Sequence, residues 1–540
     1  MLLALLAAAP SAQNQGTTFR ADTRLVEVNA LVVDKDGRPI EGLTRDDFTV
    51  FEDGKAQPIE LFAVAGSPAG ARPALAGAPV PAGEPGAPPV SGDYSNRAVA
   101  RAGGVTVIVL DRLNTPFEDQ KLARDQIMEF LKDVRREDRI ALYVLQSGSV
   151  EILHDFTRDN ASLIAALARY QARTSRSRQA TDARPIALAK GGNAAEDAEF
   201  ERWLGEKSQQ VAAFYINDRV NLTAAAFESI ASHLAGVRGR KNLVWVSSAF
   251  PIRVDEPQGG RTFTSKLDEA AKAINGANIA VYAVNARQLL PPVARAAVEP
   301  TKQVGGARPY NADFPPSTFE SEMRYVDTLQ SIADATGGRA FSVLGNIGKG
   351  MRQAVEDSRL TYVLGYYPAH ATWDGAYHAI RVTVNRAGAS VRSRKGYYAT
   401  RLQAPDAATS QEALLDAMRS PLEATGVGLS VHAEKVAAGA SVVIRPAADG
   451  VTLTRKGDVW EGAIDVAIAQ SLPNGRTFRT FAATVNLTFT EVQHDQMMRD
   501  GFSFDRVVAL RPDSHRLHVV VRDVPSGAIG SVIVPTDALR

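Results

Sequence analysis

VTVIVLDRLNTPFEDQ, residues 105–120, carries the reading on which the fold turns. Val105–Leu110 is apolar without alternation, as expected of a strand covered on both faces. Thr115 reads as a helix N-cap, with Pro116 at the first helical position and Glu118 closing a capping box. Ala123, Ile127, Phe130, Leu131 and Val134 then recur at helical spacing and give that helix one apolar face. A buried strand feeding an amphipathic helix is the first half of a crossover connection, which points to parallel strands.

Moving outward, the alternation continues. Strand Arg139–Leu145 has a hairpin partner in Val150–Phe156, followed by helix Ala161–Leu167. Later come helix Ala224–Leu234, strand Asn242–Ser247, helix Ser265–Ile274, strand Ile279–Asn285, helix Glu322–Thr336, strand Ala340–Val343 and helix Met351–Ser358. Crossovers of fixed hand place helices on both faces, so the expected fold class is α/β, a doubly wound and mostly parallel Rossmann-like sheet. It is flanked by β-sandwich-like domains. Leu25–Val64 breaks into short strands around Asp36-Gly37 and Asp53-Gly54, and Thr361–Ala399 does the same around Asp374-Gly375 and Ala387-Gly388. Neither flank has strands enough for a sandwich alone, which suggests that the two pair with each other around an inserted α/β domain.

The expected division is a signal-like segment at 1–16, an N-terminal β-domain at 17–65 and a Pro/Gly/Ala linker at 66–102. The α/β domain takes 103–358, with an insertion near 171–220, followed by strands at 359–400, a linker at 401–426 and a C-terminal β-sandwich-like domain at 427–540. MLLALLAAA at the start reads as the apolar stretch of a secretory signal, so an exported protein is expected, periplasmic, at the cell surface or secreted. No later run is long and apolar enough to span a bilayer, so no transmembrane segment is expected in the mature chain.

Sixty-one Lys and Arg against sixty Asp and Glu leave a net charge of +1, which argues against nucleic acid as a partner. Cysteine is absent, and disulfides, thiolate metal sites and cysteine nucleophiles go with it. No Gly-x-Ser-x-Gly elbow and no phosphate-binding loop follows a strand, so no catalytic residues are assigned. Asp34-Lys-Asp36-Gly37 begins like a calcium loop, but Arg45 holds the twelfth position, and a turn is the better reading. The basic segment Gln171–Arg184 reads as an insertion or as an arm for an acidic partner.

The chain resembles the VWFA-related proteins, with a von Willebrand factor A (VWA)-like domain, typical of acidobacterial genomes. The phrases that carry the resemblance are VEVNALVVDKDGRPIEGLTRDDFTVFEDGKAQPIE, VIVLDRLNT, LAGVRGRKNLVWVSSAFP, IAVYAVNARQL, IADATGGRAF and YVLGYYP, in that order. The resemblance implies an exported β–VWA–β protein engaged in protein contact or assembly. It also implies a metal-ion-dependent adhesion site (MIDAS), built from an Asp-x-Ser-x-Ser loop, a later Thr and a later Asp, and suited to Mg²⁺.

Asp111 and Thr115 match that loop and Thr223 the later Thr, while Leu113 replaces a hydroxyl and Ser248 the second Asp. Asn114 offers a side-chain oxygen one position along. On this reading Asp111, Thr115, Thr223 and Ser248 are the metal candidates. Asp111, Asn114, Thr115, Ser247, Ser248 and Thr223 form the partner-facing set at the strand ends. Thr115 and Thr223 serve equally well as helix starts. The expected function is an exported, non-enzymatic protein–protein interaction or assembly module with a degenerate MIDAS and no cofactor. The alternative is a Mg²⁺-dependent adhesin or ligand-binding receptor, and a hydrolytic enzyme ranks third.

Overall fold

The computed structural model describes residues 25–65, 92–96, 104–135, 137–146, 149–175, 177, 194–237, 240–248, 253–254, 261–262, 264–286, 329–330, 332–341, 347–368, 373, 375–399 and 407–539. The signal-like segment lies outside them, as do residues 66–91 and 178–193.

The chain opens with β1 (Val26–Val33), β2 (Phe48–Glu52), β3 (Lys55–Gln57) and β4 (Leu61–Ala65), then β5 (Asp93–Ser95). The calcium-like stretch is a turn: the Asp34 carboxylate accepts from the Asp36 and Arg38 amides at 2.9 Å each, and Gly37 takes φ 80°.

The α/β unit follows: β6 (Val105–Asp111), α1 (Phe117–Lys132), β7 (Arg139–Gln146), β8 (Ser149–Thr157), α2 (Asn160–Arg169), α3 (Ala194–Leu234) and β9 (Lys241–Ser247). After the short β10 (Arg253–Val254) and β11 (Arg261–Thr262) come α4 (Thr264–Gly276), β12 (Ile279–Asn285), β13 (Arg339–Phe341) and α5 (Ile347–Arg359). One six-stranded sheet runs β13-β12-β9-β6-β7-β8, parallel except for β8 at its edge. Phe227, Ile230 and Leu234 of α3 and Ala270 and Ile274 of α4 pack on one face with Val107, Val109 and Trp245. Ile127 and Leu131 of α1, Leu163 and Leu167 of α2, and Met351 and Val355 of α5 pack on the other with Ile108 and Leu142. Two covered faces explain why β6, β9 and β12 are buried at every position.

Beyond it lie β14 (Thr361–Tyr366), β15 (Tyr377–Val384), β16 (Ser390–Arg392) and β17 (Gly396–Tyr398). These pair with the opening strands: β14 lies between β1 and β4, with Val26 opposite Tyr366, and β15 lies beside β2, with Val50 opposite Val382. Two four-stranded sheets, β16-β1-β14-β4 and β17-β15-β2-β3, enclose Val28, Phe48, Val50, Leu364, Ile380 and Val382. The chain on both sides of the α/β unit thus builds one sandwich, and the α/β unit is inserted into it.

The remaining elements are α6 (Ala407–Arg419), β18 (Leu429–Val436), β19 (Gly439–Pro446), β20 (Thr454–Lys456), β21 (Val459–Ser471), β22 (Thr477–Thr490), α7 (Glu491–Asp500), β23 (Phe504–Val508), β24 (Arg516–Asp523) and β25 (Ile529–Pro535). They form a second sandwich of sheets β23-β19-β18-β5 and β20-β21-β24-β25, with β22 on β21.

Two spans read as linkers carry structure. Within 66–102, β5 adds an edge strand to this second sandwich beside β18, and buried Asn96 fixes it by donating to Ala424 O at 2.7 Å and accepting from Leu429 N at 2.7 Å. Within 401–426, α6 sets Met418 against Ala467, Ala469 and Val520.

The insertion read near 171–220 also needs correction in part. Residues from Ala194 onward belong to one 41-residue helix that continues into the core segment ending at Leu234.

Candidate functional site

In an open α/β sheet the crevice for a ligand lies beyond the carboxyl ends of the strands, where the strand order reverses. Here β7 lies on one side of β6 and β9 on the other, so the reversal falls between β6 and β9. Asp111 ends β6 and Ser247 ends β9, which places the candidate residues at that point.

The structure gathers most of them into one buried knot. Asp111 Oδ1 accepts from the Asn114 amide at 2.9 Å and from Asn114 Nδ2 at 3.1 Å. Oδ2 accepts from Asn114 Nδ2 at 2.9 Å, Trp245 Nε1 at 3.1 Å and Ser247 Oγ at 2.8 Å. Asn114 Nδ2 also donates to Thr223 Oγ1 at 3.0 Å, and that hydroxyl donates to Arg219 O at 2.8 Å. Burial pushes the Asp111 carboxyl above its ordinary range, and the hydrogen bonds from Asn114, Ser247 and Trp245 oppose the shift.

Several expectations change. Thr115 does not cap α1: Pro116 holds the cap position, the helix begins at Phe117, and Thr115 Oγ1 instead accepts from Ser248 N at 3.3 Å. Thr223 does not start a helix, because α3 has already run more than a full turn before reaching it. Ser248 does not reach the carboxylate; Ser247 does, since adjacent strand residues point to opposite faces. Leu113 is fully buried and packs into the same core as Tyr143 and Leu145.

The donor set does not fit Mg²⁺. That ion needs oxygen lone pairs directed at a common centre. Here both Asp111 oxygens are taken up by N–H and O–H donors, and an amide nitrogen bridges Asp111 and Thr223. As partner contacts the six residues need correction as well. Asp111, Asn114, Thr115, Thr223, Ser247 and Ser248 are each at most 3% exposed, so the outer surface at this end is made by their neighbours.

The residues that fasten the chain around this knot were not visible as site residues in the sequence. Gln120, buried on α1, donates to Thr115 O at 2.7 Å and Arg173 O at 2.9 Å and accepts from the Arg173 amide and the Tyr170 hydroxyl. Ser175 Oγ donates to Leu113 O at 3.0 Å. The start of the segment read as a basic arm is therefore fastened over the β6–α1 loop. No local pattern signals this, because a glutamine on a helix reads as a solvated residue.

No protein-family profile matches the chain, and no curated protein does. Among solved structures it is similar to the VWA domain of SpRpn10, at 14% identity and a TM-score of 0.17, over 34% of this chain and 74% of that one. It is also similar to the pilus adhesin SpaC from Lactobacillus rhamnosus GG, at 8% identity and a TM-score of 0.21. That alignment covers 81% of this chain and 54% of the adhesin, so the chain spans about half the adhesin's length. Scores this low carry no argument, and the fold description rests on the strand order and packing above.

Proposed function

We propose that this chain is an exported, non-enzymatic protein-interaction module whose VWA-like domain carries a degenerate MIDAS and binds its partner without a metal. The observation that carries the reading is the first half of α3. Phe200, Trp203, Val211 and Phe214 are 47%, 52%, 50% and 66% exposed. Steps of 3, 8 and 3 residues set them on one helix face, and Phe200 stacks on Trp203 with ring centroids 5.7 Å apart.

α3 reaches the strand-end face at Thr223, and the row precedes that point along the helix, spanning on the order of 20 Å from Phe200 to Phe214. Folding leaves four large apolar side chains in water there, a cost that binding removes. Aromatic anchors on a helix suit an apolar groove in a partner protein. At the same end of the sheet, a hollow of about 510 Å³ lined by Arg112, Arg169 and Arg173 against Glu151 favours acidic residues in a partner.

Affinity capture from an envelope extract tests this, with wild type and the Phe200→Ser/Trp203→Ser/Phe214→Ser variant compared with and without chelator. The variant is expected to lose the captured protein while chelator changes nothing. Capture that survives the substitutions, or that needs divalent metal, counts against the reading. Cell fractionation tests export independently.

A further inference from the structure

At the opposite, amino end of the α/β sheet, a cavity of about 810 Å³ lies between the inserted unit and the sandwich that holds it. Its size is that of a small-molecule site. Three cations line it: Lys241 at the start of β9, Lys272 on α4 and Arg394 before β17. One carboxylate lines it, Glu27. Trp373, Tyr397 and Tyr398 supply aromatic walls, and the Lys272 ammonium lies 4.6 Å from the centre of the Tyr398 ring.

The cations are not equivalent. The Arg394 guanidinium is largely committed, donating to Asn275 O and Oδ1 and to Glu27 O. Lys241 is 5% exposed, and its ammonium donates to a single protein acceptor, Val237 O at 3.0 Å. Among the described residues it forms no ion pair, and Glu27 acts on it only from a distance. An ammonium carries three donors, and burying one without a paired anion is costly. Packing alone would favour an apolar residue at this position. Burial accordingly pulls the lysine down to about 8.

We propose that this cavity binds an aromatic organic acid, with its carboxylate on the Lys241 ammonium and its ring against Trp373 and Tyr398. Lys is a point charge that accepts any anion geometry, whereas the planar fork of Arg394 is already occupied by backbone and amide oxygens. The aromatic walls select a planar body, and Lys272 adds positive potential at the rim. The site is distinct from the knot at the carboxyl ends of the strands and does not depend on the partner reading.

Thermal shift and calorimetry on the full chain test it, using benzoate and 2-naphthoate as probes, with 2-naphthalenemethanol, acetate and phosphate as controls. The two aromatic acids at millimolar concentration are expected to raise Tm, and the alcohol, acetate and phosphate to leave it unchanged. Lys241→Met is expected to abolish the shift and the exposed Lys272→Gln to weaken binding several-fold. No response to either acid, a response retained in Lys241→Met, or an equal response to the alcohol or phosphate would overturn the proposal. If Lys241→Met does not fold, lysine acylation of wild type followed by peptide mapping decides. 2-Naphthoate is expected to protect Lys241, and equal modification with and without it would overturn the assignment.

Discussion

Asn114 holds a position between Asp111 and Thr223 that a cation would otherwise bridge. Its Nδ2 has two N–H donors: one is shared between the two carboxylate oxygens and the other goes to the hydroxyl, so the buried carboxylate is satisfied from within the chain. Charge-assisted bonds of this kind are about twice as strong as neutral ones. Replacing Asn114 with Asp removes those donors and sets a second carboxylate against the first, at a cost on the order of 3–5 kcal/mol for an uncompensated buried charge. A divalent cation can then take the vacated bridge. The expected outcome is that Asn114→Asp melts well below wild type without metal and recovers part of its Tm in millimolar Mg²⁺, while wild type responds neither to Mg²⁺ nor to chelator. Calorimetry in both conditions checks this, and a wild-type Tm that rises with Mg²⁺ would sink the metal-independent reading.

Elements were legible where burial forces one pattern. Val105–Leu110, Asn242–Ser247 and Ile279–Asn285 read as strands because both faces are covered, and the structure extends the first two by one residue each. The continuity of α3 was hidden because Asn217, Asn221 and Thr223 are weak helix formers that look like a break. Tertiary bonds override that preference: the Thr223 hydroxyl turns back to Arg219 O and receives Asn114. Thr115 misled for a related reason, since a residue of the right type for a cap spends its hydroxyl on Ser248 N across the sheet end. Three-residue β5 was too short to show any period. Gly338, just beyond the helix read to Thr336, is where backbone meets backbone: a Cβ there would lie 1.9 Å from Val281 O of β12. Gly338→Ala must push α5's preceding strand, β13, away from β12, and a loss of at least about 1–3 kcal/mol is expected by chemical denaturation. Gly276→Ala, where a Cβ meets nothing within 4 Å, is the matched control and is expected to change stability little.

At the scale of the whole chain, residues 420–425 bind the α/β unit to the C-terminal sandwich. On one side Ser420 Oγ meets Ser229 Oγ at 2.8 Å, Thr425 Oγ1 donates to His233 O at 2.7 Å, and His233 Nδ1 lies against Glu423 O. On the other, Ala424 N donates to Ser531 Oγ at 2.7 Å and Ile533 N to Glu423 Oε1 at 2.7 Å. Burial raises the Glu423 carboxyl from 4.5 to about 7, against the Ile533 hydrogen bond and with a contribution from Asp155. The folded chain therefore holds a proton here that the unfolded chain has released between those two values, so stability from this group is full below its unfolded value and is lost as pH rises through about 7. His233 acts oppositely. Burial pulls it below 6.5, so its contribution is lost as pH falls through its lowered value. Glu423→Gln keeps an acceptor for Ile533 N but removes the carboxyl titration. The variant is expected to be more stable than wild type at about pH 8, by on the order of 1–3 kcal/mol, with the gain disappearing toward about pH 5. Tm measured across that range checks it. A constant offset between the two proteins would show that Glu423 is not titrating in the interface, and a joint segment free of both domains would give no difference at any pH.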